Sequence, residues 1–365
     1  MLIGIKELKA GCILSKDVRS KTNRPIMLQD TIITEELLQV LQAFLIKEVE
    51  VETTMVNGKK LLPSERIAAE EQSVPFSRNR HFTEAYLQCV QEFKSLFKGW
   101  QAGGQIDVPK VRELFIPLLK QALGSEQEVL SIYRYSTKDE YIYHHAISVG
   151  LLSAFIARKM NFKTGDIVQI AIAGCLCDAG MAKIPLSILE KRTSLTREEF
   201  AEMKKHPIHA FRMLEKSSFL RKEALIGILQ HHERLDGSGY PKGVEGRMLH
   251  INSRIIGLAD VFHAMTSERL YRIKQSPYKV IEMIMHDDFG KFDLEAVQAL
   301  MSGVLQITIG TRVKLSNGYE GEVIFVQSQY PARPTVKVAG LPALLDLNKE
   351  RDIHIERLSK PNYTE

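Results

Sequence analysis

From about Glu126 to Gly303 the apolar residues recur with helical spacing, and strand signals are scarce over the whole stretch. A run that long is the size of a full domain, so an all-helical core is expected there. After Gln306 the period changes. Val313, Leu315, Val323, Phe325, Val336 and Val338 sit at alternating positions, with Asn317-Gly318 as a hairpin turn signal. The expected architecture is multidomain and mainly α, ending in a small β-barrel-like domain.

The first part of the chain reads as a small α/β segment. Thr34 has the place of an N-cap, with Glu35 and Glu36 in the first turn. Leu37, Leu38, Val40, Leu41 and Leu45 follow at helical spacing. Glu48 to Met55 alternates loosely, as a strand does, and Asn57-Gly58 marks a turn. A polar connector runs from about Lys59 to Arg80. Helical periodicity then covers Thr83 to Trp100, breaks at Gly103-Gly104 and resumes from Val108 to Leu123. The expected division is 1–58 (regulatory α/β), 59–125 (helical connector), 126–305 (helical core) and 306–365 (small β domain).

Composition narrows the class. The chain has 365 residues, with 49 Lys+Arg against 44 Asp+Glu and a net charge of +5. At 44% hydrophobic and 25% charged it is neither disordered, collagen-like nor a disulfide scaffold. Bases are mixed with acids nearly everywhere, so a nucleic-acid duplex is not an expected partner. The four cysteines, Cys12, Cys89, Cys175 and Cys177, form no CxxC pair and fit a reducing compartment. The start shows no signal pattern, and no apolar run approaches the roughly 18 residues of a membrane span. A cytoplasmic protein without a membrane span is expected.

Within the helical block, imidazoles and carboxylates fall at informative places. These are His145, Asp178, His206, the adjacent pair His231 and His232, and Asp260. One histidine on a helix is ordinarily structural. The set, with no need for a thiolate, suits a divalent metal such as Fe, Mn or Zn. Several histidines around a bridging aspartate are also what a two-metal hydrolase uses on a phosphodiester.

The segment "HHERLDGSGYP" (His231 to Pro241) resembles the signature of the HD-GYP phosphodiesterases. Around it, "YIYHHAISVG", "CLCDAGMAKIPLSILEK", "EMKKHPIHAFRML" and "IIGLADVFHAMTSERLYR" resemble successive family segments, in the family's order. The resemblance covers roughly residues 130 to 300 and implies an all-helical HD-type domain holding metal ions. It implies cyclic di-GMP, a bacterial second messenger, as the usual substrate, cleaved to a linear dinucleotide or to GMP. It places His145, Asp178, His206, His231, His232 and Asp260 at metal-ligand positions, with Asp178 as the bridging, catalytic carboxylate. Gly239, Tyr240 and Pro241 match the loop beside the ligand. Arg269 and Arg272 match positions that contact the nucleotide, and a guanidinium fork suits a phosphate or a guanine edge.

Four positions depart from the family pattern. The histidine of the His-Asp pair is Cys177, the lysine three residues after the aspartate is Met181, and a second acid is replaced by His263. An optional glutamate ligand is Tyr141. Losing even an outer partner of a metal costs about 10- to 100-fold in affinity or activity. Two repairs are conceivable: Cys177 as a thiolate ligand, or His263 as a substitute imidazole. Lys183 is a doubtful replacement for the lost lysine. The chain is thus expected to be a metal-dependent cyclic di-GMP phosphodiesterase of weakened activity, with one or two metals. The alternative is an inactive module that binds a cyclic dinucleotide or a protein partner. The tail resembles the small β-tail of some HD-GYP proteins of Gram-positive bacteria. The N-terminal segment resembles the small domain that often precedes this core, implying a regulatory or dimerisation role.

Overall fold

The computed structural model describes residues 1–5, 7–19, 25–44, 46–61, 78–268, 274–286, 290–338, 340 and 344–358. Most of the expected connector (62–77), Leu45, and both nucleotide-contact candidates, Arg269 and Arg272, lie outside the described residues.

The N-terminal unit contains β1 (Leu2–Gly4), β2 (Val18–Arg19), β3 (Pro25–Met27), α1 (Glu35–Ala43) and β4 (Glu48–Glu50). β1 pairs antiparallel with β4, and β2 with β3. Thr34 caps α1, its hydroxyl accepting from Leu37 N at 3.2 Å. Ile3, Leu14, Ile33, Leu41 and Val51 are buried together as a small separate core.

The helical body comprises α2 (Arg78–Gln101), α3 (Val108–Ala122), α4 (Glu126–Val129), α5 (Tyr141–Lys159), α6 (Thr164–Leu176), α7 (Leu186–Leu189), α8 (Arg197–Met203), α9 (His206–Leu214), α10 (Lys222–Gln230), α11 (Ile251–Thr266), α12 (Pro277–His286) and α13 (Leu294–Val304). α2 and α3 contribute Phe93, Phe97, Trp100 and Phe115 to the same apolar core as the helices that follow. α5 is buried on all sides from His144 to Ala157. That is why its sequence is apolar almost throughout and not striped. Thr164–Lys183 is long and apolar enough to span a membrane by length and mean hydropathy (1.3), against the expectation that no segment would be. The stretch is α6 with the short turn after it, and 72% of its apolar window is buried inside the protein, as in a core helix.

The last unit is a five-stranded antiparallel sheet of β5 (Arg312–Leu315), β6 (Glu320–Phe325), β7 (Thr335–Val338), β8 (Leu345–Asp346) and β9 (Ile355–Leu358), in the order β8-β7-β6-β5-β9. It is open, with β8 and β9 at its edges, so the expected barrel-like closure is corrected. Closure would require β8 to pair with β9, but they lie at opposite edges and β8 has only two residues. Alternate residues Val313, Leu315, Val323, Val336 and Val338 bury one face.

A buried arginine locks this sheet to the helical body. Arg333, 6% exposed, donates to the carbonyls of Leu347 (2.7 Å), Arg351 (3.0 Å), Ile353 (3.1 Å) and Glu350 (3.3 Å). It also pairs with the carboxylate of Glu282 on α12. Removing one partner of a buried pair strands the other, at a cost of about 3–5 kcal/mol. Arg333→Ala should therefore destabilise the sheet by that order. Hydrogen exchange should show fast-exchanging amides in β5 to β9 while α5 and α6 stay protected.

Candidate metal centre

The candidate ligands are delivered by five parts of the helical body, with His231 and His232 adjacent at one of them. His145 projects from the first half of α5, Asp178 follows the end of α6, and His206 opens α9. His231 closes α10, His232 follows it, and Asp260 lies within α11. Gly180 makes the approach of α9 possible. A Cβ there would collide with the backbone carbonyl of His206 and lie 2.5 Å from Ala210 N. Only a glycine lets His206 reach Asp178.

Asp178 is the hub. Its Oδ1 lies 3.1 Å from His206 Nε2 and 3.4 Å from His231 Nε2, and its Oδ2 lies 3.5 Å from His145 Nε2. At these distances the groups attract, yet Oδ1 has no hydrogen bond of acceptable angle among the described residues. The atoms converge on a common point and do not aim at one another. The outer nitrogens explain this. His206 Nδ1 donates to Met203 O and His231 Nδ1 to Ile228 O, both at 2.7 Å. A neutral imidazole that donates from Nδ1 keeps its lone pair on Nε2. The two Nε2 atoms, 3.3 Å apart, therefore face each other and a carboxylate oxygen as acceptors. Three acceptors meeting in a buried space fit a cation. Backbone-anchored imidazoles are also the usual outer support of metal ligands.

One ligand atom from each of Asp178, His206, His231 and His232 lies within 4.8 Å of the others. Three imidazoles and one carboxylate, with no thiolate, match Mn, Fe or Zn. Burial pushes the Asp178 carboxyl up, but the neighbouring imidazoles of His206, His231 and His145 outweigh it. The net result holds Asp178 well below the ordinary carboxylate range. Burial, then the neighbouring His231, pushes His232 well below the ordinary imidazole value, so it stays neutral and able to ligate.

The other half of the expected constellation is arranged differently. His145 Nε2 donates to Asp260 Oδ1 at 2.9 Å. The neutral ring then carries its lone pair on Nδ1, which faces His263 Nδ1 and Tyr141 Oη, each at 3.0 Å. Tyr141 also stacks on the His145 ring, with centroids 5.1 Å apart. His263, fully buried and beside Ser267 Oγ (3.2 Å), stands behind His145 and does not join the cluster around Asp178. Asp260 pairs with His145, and its Oδ2 lies 3.4 Å from His232 Nδ1. Cys177 donates to Gly174 O at 3.1 Å, and burial, then Asp178 and Asp260, pushes its thiol well above the ordinary value. A thiolate ligand is disfavoured there. Met181 packs against the apolar core, and Lys183 Nζ is drawn to Trp100 O at 3.4 Å.

The loop after His232 closes one side. A Cβ on Gly239 would overlap Glu233 Cα and lie 2.5 Å from both Arg234 N and His232 O, so the turn needs glycine. Tyr240 then stacks on His232, with centroids 4.6 Å apart, and Pro241 follows. Glu233, 3% exposed, accepts from Lys242 N (2.7 Å) and Val244 N (3.1 Å) and ties the loop down. Reading the sequence gave Glu233 no role, although its place directly after the paired histidines was the available signal. A cleft of about 2360 Å3 lies elsewhere, between the N-terminal unit, the helical body and the C-terminal sheet, and none of the ligand candidates lines it.

Helical body and histidine–aspartate cluster together define an HD-type protein. Residues 125–295 match the HD domain family. The chain is 29% identical over 273 residues to a cyclic di-GMP phosphodiesterase of Pseudomonas aeruginosa, covering 75% of this chain and 64% of that one. It is 42% identical over 200 residues to a cyclic di-GMP phosphodiesterase of Thermotoga maritima, covering 53% and 51%. It is 29% identical over 191 residues to a 3'3'-cGAMP-specific phosphodiesterase of Vibrio cholerae, covering 51% and 44%. The chain thus spans less than two thirds of the length of each of these curated relatives. A solved HDG"Y"P protein of Bdellovibrio bacteriovorus aligns over 83% of this chain and 98% of its own, at 15% identity and a TM-score of 0.49. The central domain, residues 125–295, thus matches the HD domain family and is similar to the HD domains of cyclic dinucleotide phosphodiesterases.

His144, next to His145, turns the other way. Its Nδ1 lies 2.9 Å from Tyr86 Oη on α2, and its buried Nε2 has no partner among the described residues. Burial pushes this imidazole down to about 4. Unfolded, it titrates near 6.5, so between about pH 6.5 and 4 the unfolded chain binds the proton more tightly. Stability therefore falls as pH drops through that window, by an amount on the order of 3 kcal/mol in total. In metal-free protein, His144→Gln should flatten the dependence of unfolding free energy on pH from 6.5 downward, as measured by denaturant titration at a series of pH values.

Proposed function

We propose that the chain is a metal-dependent, cyclic dinucleotide-directed HD-GYP protein with one complete metal position and weak phosphodiester hydrolysis. The observation that carries this reading is the convergence of Asp178, His206, His231 and His232 on one point, with two imidazoles anchored to backbone carbonyls. A divalent ion held there would polarise a phosphoryl oxygen and lower the pKa of a bound water. The chain's own residues do the rest. Asp178 and the three imidazoles hold the ion, Asp260 orients His145 and His232, and Tyr240 walls the site beside His232. The curated relatives act on cyclic di-GMP and 3'3'-cGAMP, which supports a cyclic dinucleotide as ligand. Four unpaired thiols suit the reducing cytoplasm.

The second position is closed by the His145–Asp260 hydrogen bond, beside a protonated thiol where an imidazole is expected. That arrangement favours one metal over two and slows in-line displacement, which gains from a second ion on the leaving oxygen. It equally supports the reading of a module that binds a cyclic dinucleotide without cleaving it, since Met181 brings no ammonium to the phosphate.

Elemental analysis of the purified chain should give about one Mn, Fe or Zn per protein. Asp178→Ala should abolish metal binding, and Cys177→Ala should leave it unchanged. With metal supplied, cyclic di-GMP should bind and be converted slowly to linear dinucleotide, and Asp178→Ala should remove both properties. Two metals per chain, or a loss of metal in Cys177→Ala, would refute the single-site assignment. Binding without turnover would select the non-hydrolytic reading.

A further inference from the structure

His232 is the most exposed member of the cluster, ahead of Asp178 at 10%. Its side chain is 16% exposed, against 1% for His206 and 0% for His231. The cluster therefore opens on the His232 side, and Tyr240 stands at that opening. Beyond it lies a cation without an acid. Lys204 Nζ is 5.2 Å from the centroid of the Tyr240 ring and 4.8 Å from that of Phe200. Around it the lysines are paired: Lys205 with Glu202 (2.6 Å) and Lys191 with Glu199 (2.5 Å). Among the described residues Lys204 makes no such pair. Its backbone is held in place, because the carbonyl of the preceding Met203 accepts from His206 Nδ1. Phe200 is a large apolar side chain kept 48% exposed beside this cation.

A cyclic dinucleotide carries two phosphates across one ring. A site that holds the scissile phosphate at the histidine cluster must meet the second phosphate, and a base, further out. Resting on the cyclic-dinucleotide reading above, we infer that Lys204 and Phe200 form the outer half of the ligand site. Lys204 takes the second, non-scissile phosphate, and Phe200 offers a face on which a base stacks. Attraction to two aromatic faces holds the ammonium near one place before the ligand arrives, and a charge-assisted contact to phosphate is among the stronger polar interactions. Among the described residues, Met181 and Lys183 bring no ammonium to the inner site, Met181 being packed against the core and Lys183 drawn to the Trp100 carbonyl.

The test is calorimetric titration of the Mn-loaded chain with two probes, cyclic di-GMP and GMP, with metal content measured on every variant. Lys204→Ala should weaken cyclic di-GMP by about 10- to 100-fold and leave GMP affinity and metal content unchanged. Lys204→Arg should keep most of the affinity, and Phe200→Ala should lose about 10-fold. Unchanged cyclic di-GMP affinity in Lys204→Ala overturns the inference while leaving the proposed function standing. Equal weakening of both probes, or loss of metal, also overturns it, because the lysine would then act only on the structure. A wild-type chain that holds metal and binds no cyclic di-GMP overturns the proposed function itself, and the inference with it.

Discussion

The arrangement of the helical body turns on one carboxylate. Asp178 sits in the core with imidazoles on two sides, and every element that supplies them is fixed by ordinary packing. Gly180 admits α9, and the carbonyls of Met203 and Ile228 set the tautomers of His206 and His231. Lone pairs and negative charge are thereby aimed at one buried point. An aspartate placed there with nothing positive to meet would carry a large desolvation cost, which supports reading the site as a holder of a cation.

The two halves of the constellation show how substitutions propagate. With Cys177 where the family has histidine, the neighbouring groups satisfy one another: His145 donates to Asp260, and Tyr141 and His263 close on the far side of the His145 ring. The replacements at 141 and 263 both touch the His145 ring, while that at 177 turns to Gly174 O. His263 is better understood as support for His145 than as a substitute ligand.

Much of this was legible in the residues. The helical period from Glu126 to Gly303, the cap at Thr34 and the turn at Asn317-Gly318 are local signals that tertiary packing did not override. The ligand candidates were legible because chemistry restricts which residue types can do this work. What a one-dimensional reading could not supply was direction. It left Cys177 and His263 equally open as repairs, and only the hydrogen bonds to Gly174 O and to His145 separate them from the cluster. Closure of the terminal sheet was misjudged because alternation reports burial of one face and says nothing of curvature. Lys204 carried no signal, since its meaning depends on two rings, one of them 36 residues away in the chain.

The hydrogen bond from His145 to Asp260 joins residues 115 positions apart. No single helix or short fragment of the chain holds the whole cluster, so the point where the lone pairs converge depends on the packed fold. Whatever ion occupies it binds the native state alone and raises stability by mass action, in proportion to the logarithm of its free concentration. The amount of intact protein in a cell would then follow the supply of that ion, so the centre can set abundance as well as chemistry.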